Sequence, residues 1–130
     1  MISLKVVTNT SPLIYLAILN RFQFLRELFD EASLPEVVYH EVAVRESVQP
    51  GVAETRAAVE EGWLQQIAVR DRAAVDSLLG ELHLGEAEAI VLARVLNSGR
   101  VLLDDRIARN KARRRGKDNR EAPWRLAPLG

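Results

Sequence analysis

Two acidic residues interrupt apolar helical faces, and two more follow an apolar strand. At about 100° per residue, Glu41 falls inside the arc set by Val37, Val38, Val42 and Val44 in a helix that Pro35 begins. In a second helix beginning at Leu84, Glu88 falls inside the arc of Leu84, Val91, Leu92 and Val95, whereas Glu86 lies on the opposite side. A carboxylate turned toward a core is costly unless it is paired, hydrogen-bonded, protonated or bound to a metal. One reading pairs these acids with Arg94, Arg106 or Arg109. The other joins Glu41 and Glu88 to Asn9 and Asp105 at the ends of two strands, as an oxygen-rich pocket for Mg²⁺ or Mn²⁺. Such a cluster suits phosphodiester hydrolysis, because the ions activate water and offset charge on the pentavalent phosphate.

Composition narrows the alternatives. With 130 residues, 48% apolar and 28% charged, the chain supports one core and one domain. There is no cysteine and there are two histidines, His40 and His83, so thiolate chemistry is excluded and a histidine-rich zinc site is disfavoured. No run of about 18 uncharged apolar residues is present, and no basic start followed by an apolar core, so the expectation is a cytoplasmic protein with no membrane partner. The net charge of zero hides an asymmetry: residues 1–105 hold 9 Lys+Arg against 16 Asp+Glu, whereas residues 106–130 hold 9 against 2. A basic tail on an acidic body can meet nucleic acid, an acidic partner, or the body itself.

The elements that must position these residues alternate. Residues 4–8 form a β-branched run, and Asn9-Thr10-Ser11-Pro12 then gives a capping hydroxyl, assigned to Ser11, before a proline suited to a first helical turn. That helix pauses near Asn20, and a second carries Phe22, Leu25, Leu28 and Phe29. A short strand at 32–34 precedes the helix from Pro35. Pro50-Gly51 breaks the chain before a helix over 53–61, residues 63–69 alternate like a strand, and Asp71 caps a helix toward Leu79. The helix from Leu84 ends at Asn97-Ser98-Gly99, and 101–103 read as a buried strand. This predicts an α/β three-layer sandwich with a mainly parallel sheet flanked by helices, whose ligand sites lie beyond the carboxyl ends of the strands.

Four ordered blocks carry a resemblance: Val7-Thr8-Asn9-Thr10-Ser11-Pro12-Leu13-Ile14, Leu34-Pro35-Glu36-Val37-Val38-Tyr39-His40-Glu41-Val42, Leu84-Gly85-Glu86-Ala87-Glu88-Ala89-Ile90, and Leu102-Leu103-Asp104-Asp105-Arg106. Together they resemble the PIN-domain superfamily, and within it the branch of uncharacterised prokaryotic proteins related to VapC-type toxins. The resemblance implies an α/β nuclease that cuts RNA with Mg²⁺ or Mn²⁺, an antitoxin partner and a homodimer. By position it implies Asn9, Glu41, Glu88 and Asp105 as the catalytic set, with Glu41, Glu88, Asp105 and Asp104 on the metal and with Glu86 and Ser11 in support. Asn9 is a departure, since many PIN nucleases have aspartate there, and the site loses one formal charge.

The domain is expected over 1–115, with 116–130 an atypical basic tail lacking a strand-like apolar run, either disordered or a docking segment. Arg106, Arg109 and Arg113 could neutralise RNA phosphates, and a solvated helix end explains them equally well. Trp63 reads as core, Trp124 as a partner anchor, and His40 as surface. Two other functions fit the same residues. One is a catalytically weakened PIN-like module that binds RNA or a protein, and the other a doubly wound regulatory domain phosphorylated at Asp104 or Asp105.

Overall fold

Val6 and Val7 point to opposite faces of one strand, and that alternation divides the core in two. The computed structural model describes residues 4–43 and 49–104, together with the backbone of 124–128. Its element order is β1 (Lys5–Thr8), α1 (Thr10–Ile18), α2 (Phe24–Leu28), β2 (Glu31–Pro35), α3 (Glu36–Ala43), α4 (Val52–Glu61), β3 (Leu64–Ile67), α5 (Arg72–Leu78), α6 (Leu84–Val95), β4 (Arg100–Asp104) and β5 (Trp124–Pro128). The sheet runs β3-β2-β1-β4-β5, with parallel pairing from β3 through β4. One core joins Val6, Leu34 and Leu102 to Leu13, Leu16, Leu25, Val38 and Val42 of α1 to α3. The other joins Val7, Val101 and Leu103 to Val75 of α5 and to Ala87, Ile90 and Val91 of α6. The architecture is the expected α/β sandwich.

Local chemistry sets the helix ends. Asn20 and Asn97 adopt left-handed backbone at φ 56° and 54°, a conformation that asparagine tolerates better than most residues. After each, the chain closes a Schellman turn: Arg21 N–H donates to Leu16 O at 2.7 Å, and Ser98 N–H to Ala93 O at 2.8 Å. Asp71 caps α5 by accepting from Ala74 N–H at 3.1 Å. Among the described residues no helix is long and apolar enough to cross a membrane.

The structure corrects three expectations. Ser11 is not the cap of α1: the helix starts at Thr10, and Asn9 holds the N-cap position with extended backbone. The helix α6 is not one-sided: every residue from Gly85 to Ala93 is buried, Glu86 included, because it packs against β1, β2 and β4 and also against α3 and α5. The third concerns the tail, where residues 124–128 form β5, antiparallel to β4 with Arg100 opposite Pro128 and Asp104 opposite Trp124. A strand between prolines shows little apolar alternation, yet a sheet edge needs only backbone donors and acceptors, and it accommodates Pro128. The rest of 105–123 lies outside the described residues, so the division between 115 and 116 stays an expectation.

Candidate active site

The parallel strands end together, which brings Asn9, the start of α3, the segment before α5 and the end of β4 to one edge of the sheet. Asn9 is 4% exposed and anchored there by its N–H, which donates to Leu102 O at 3.1 Å. Asparagine at an N-cap ordinarily turns its side chain onto the free N–H groups of the first turn, but Asn9 makes no such bond. Its Oδ1 instead faces α6. A Cβ placed on Gly85 would stand 3.2 Å from Asn9 Oδ1, 3.2 Å from Glu41 Oε1 and 3.5 Å from Glu41 Oε2. Gly85 is the second residue of α6, and its missing methyl lets three segments meet.

Glu41 reaches this point from α3, but not from its buried side. The buried residues of α3 are Val38, Val42 and Ala43, and Glu41 is exposed beside them, so the inward orientation expected from the helical arc is incorrect. Val37 is only half-buried, and the true apolar face is rotated away from it. Thr10 Oγ1 donates to Glu41 Oε2 at 2.6 Å, a short charge-assisted bond that fixes the carboxylate.

Glu88 does occupy the core side, at 6% exposed. Its carboxylate accepts from Arg72 Nη1 at 2.8 Å, an ion pair with a residue that the sequence reading did not name. The expected partners Arg106 and Arg109 lie outside the described residues, and Arg94 is exposed near the far end of α6. Glu86, expected on the solvent side, is 7% exposed in the first turn of α6, and among the described residues its carboxylate has no hydrogen-bond or ion-pair partner. The helix dipole favours an anion there, yet a buried carboxylate with no countercharge is a demanding arrangement.

The remaining expected residues are accounted for briefly. Ser11 sits half-buried inside the first turn of α1. Asp104 ends β4 next to β1, and only its backbone is described. Asp105, Arg106, Arg109 and Arg113 lie outside the described residues. His40 is a surface residue 3.7 Å from Glu36, and Trp63 packs edge-on against Phe22 with ring centroids 5.9 Å apart.

Among the described residues no three His, Asp or Glu side chains form a metal-holding group. The donors that do converge, an amide oxygen and a carboxylate, are hard oxygens of the kind that Mg²⁺ and Mn²⁺ prefer. Thr10, Gly85 and Arg72 are site residues missed in the sequence. Only Gly85 carried a signal, a glycine inside a helical pattern, which marks close backbone or side-chain approach.

The family model described as DUF3368, a PIN domain, matches residues 5–118. The chain therefore belongs to the PIN-domain family. No curated protein and no solved structure matches it.

Proposed function

We propose that this PIN-domain protein is a Mg²⁺- or Mn²⁺-dependent endoribonuclease, a toxin-like relative of the VapC type held in check by an antitoxin. PIN domains are generally nucleases, so membership supports a hydrolase of phosphodiester bonds at the coarse level. The observation that carries the finer reading is the convergence of Asn9 Oδ1 and Glu41 Oε1 on the bare face of Gly85, at the carboxyl edge of the sheet.

Asn9, Glu41 and Glu86 would hold the ion, joined by Asp104 or Asp105 from the end of β4. Glu86 enters this set because it is buried without a described partner, and Glu88 leaves it because Arg72 already compensates its charge. A bound Mg²⁺ or Mn²⁺ supplies an activated water and offsets charge on the phosphoryl oxygens. Thr10 holds Glu41 through Oε2, and Oε1 stands 3.2 Å from the Cβ position of Gly85. Asn9 adds a neutral oxygen, so the site binds a cation less tightly than one with aspartate at this position. A cytoplasmic location and homodimer formation belong to the same proposal, as does a tail over 116–130 that contributes β5.

The test is a Mn²⁺ titration by calorimetry on metal-stripped wild type and Glu41→Gln, followed by an RNA cleavage assay on both. Micromolar to low-millimolar binding and Mn²⁺-dependent cleavage, both lost in the variant while its circular dichroism is retained, are expected. A folded wild type that binds no Mn²⁺ overturns the reading. One observation favours a second reading, that of a weakened binding module: Asn9 is neutral and Glu88 is neutralised by Arg72. That module would bind RNA or a protein equally well as Glu41→Gln, and would fail on deletion of 116–130.

A further inference from the structure

The Arg72–Glu88 pair lies one helical turn from the Asn9–Glu41 cluster, since Gly85 and Glu88 are three residues apart on α6 and so are neighbours on its surface. Arg72 opens α5 just beyond the carboxyl end of β3, at the same edge of the sheet as the site. Its side chain is half exposed while that of Glu88 is buried, at 51% and 7% respectively. Both contacts of the guanidinium use one nitrogen: Nη1 donates to Glu88 Oε2 at 2.8 Å and to Val69 O at 3.1 Å. Among the described residues nothing pairs with Nη2 or Nε. A planar fork held at one nitrogen, on a half-exposed side chain with three N–H donors over, is organised to receive a second oxyanion.

A purely structural ion pair does not require this arrangement. A lysine would compensate Glu88 as a point charge, whereas arginine leaves three N–H donors over, in the geometry that matches a phosphate. The neighbouring Asp71 directs Oδ1 to Ala74 N–H at the cap of α5, at 3.1 Å, and not to Arg72. Arg70, also exposed, adds a second cation to the same short segment.

We propose that Arg72 is a substrate-binding residue that clamps a backbone phosphate of the RNA next to the one being cleaved, and that Glu88 is its positioning residue rather than a metal ligand. The inference rests on the ribonuclease reading, and it assigns the one carboxylate of α6 that the metal set leaves unused.

The experiment measures binding of a fluorescein-labelled single-stranded oligouridine by anisotropy across a series of KCl concentrations with divalent ions withheld, and measures Mn²⁺ affinity separately by calorimetry. Arg72→Ala alone would strand a buried carboxylate and risk unfolding, so the central variant is the double substitution Arg72→Gln with Glu88→Gln, which leaves net charge unchanged. A roughly tenfold weaker RNA affinity is expected, with the slope of log affinity against log salt reduced by about 0.7, the loss of one phosphate contact to a single strand. Mn²⁺ affinity should be unaltered. Arg72→Lys should keep the fold and most of the salt slope while losing affinity, because one ammonium cannot serve Glu88 and a phosphate together. An unchanged salt slope in a folded double variant overturns the inference and leaves the ribonuclease reading intact. Loss of Mn²⁺ binding in Glu88→Gln overturns the positioning role, and a wild type that binds no RNA overturns both.

Discussion

Glu41 and Glu88 look alike in the sequence, each an acid inside an apolar helical arc, and the fold treats them oppositely. Glu88 is buried against a cation that compensates it. Glu41 is exposed, steadied by a neutral hydroxyl, and shares its outlook with the amide of Asn9. The first arrangement buries the carboxylate against a full cation, and the second holds it at the surface by a hydroxyl donor. Burial and pairing with a cation mark Glu88 as the less accessible of the two, despite its more conspicuous position.

Three substitutions test this contrast. The largest effect is expected from Arg72→Ala, which leaves Glu88 buried without its cation and should lower stability by about 3 kcal/mol, measured by urea unfolding. The double variant with Glu88→Gln should recover most of that loss. A small effect in the single variant would mean that Glu88 is no more committed than Glu41. Next in size is Gly85→Ala, which sets a methyl 3.2 Å from Asn9 Oδ1 and Glu41 Oε1 and must push them apart. In the first turn of α6 the helix preference of alanine is offset by this crowding, so the melting temperature should change little while Mn²⁺ affinity falls roughly tenfold. A destabilised protein with unaltered Mn²⁺ affinity would place the cleft elsewhere. The smallest effect belongs to Thr10→Val, which removes the hydroxyl on Glu41 at near-constant shape. RNA cleavage should drop about threefold to tenfold, in line with the net worth of one hydrogen bond at a partly exposed site, and Thr10→Ser should restore it. Equal activity in all three proteins would show that Glu41 needs no steadying.

Most elements were legible because their signals are local. Asp71 caps α5 as its position before the helix implied, and the asparagines at 20 and 97 terminate α1 and α6 where the periodicity fades. The alternation of strands with helices along the chain correctly implied a sheet flanked by helices. What failed was any inference that needed a neighbouring layer. A helical arc locates the buried side only if one side is buried, and α6 is enclosed on all of them, so Glu86 was put in solvent. For Glu41 the misjudgement was angular: Val37 counted as core, but the face of α3 turns toward Val38 and Ala43. The pairing of Arg72 with Glu88 joins two helices across the β3 side of the fold, and no short-range pattern announces it. The convergence of Asn9 and Glu41 was anticipated as a grouping, though through an argument about buried charge that holds for Glu88 and not for Glu41.

Asn9, Glu41 and Gly85 come from the first strand end, from α3 and from the start of α6, and this spread has a consequence for how the protein is made. Chains emerge from the ribosome from their N-terminus, and parallel strands pair only after the intervening helix has been synthesised. A nascent chain that has reached α4 already contains Asn9, Thr10 and Glu41, but it lacks the helix against which they meet. If the cleft carries the proposed nuclease activity, the nascent chain stays inert until α6 has been made. Truncation anywhere before α6 yields a fragment that cannot assemble the cleft, so premature termination on a damaged message would release no active enzyme.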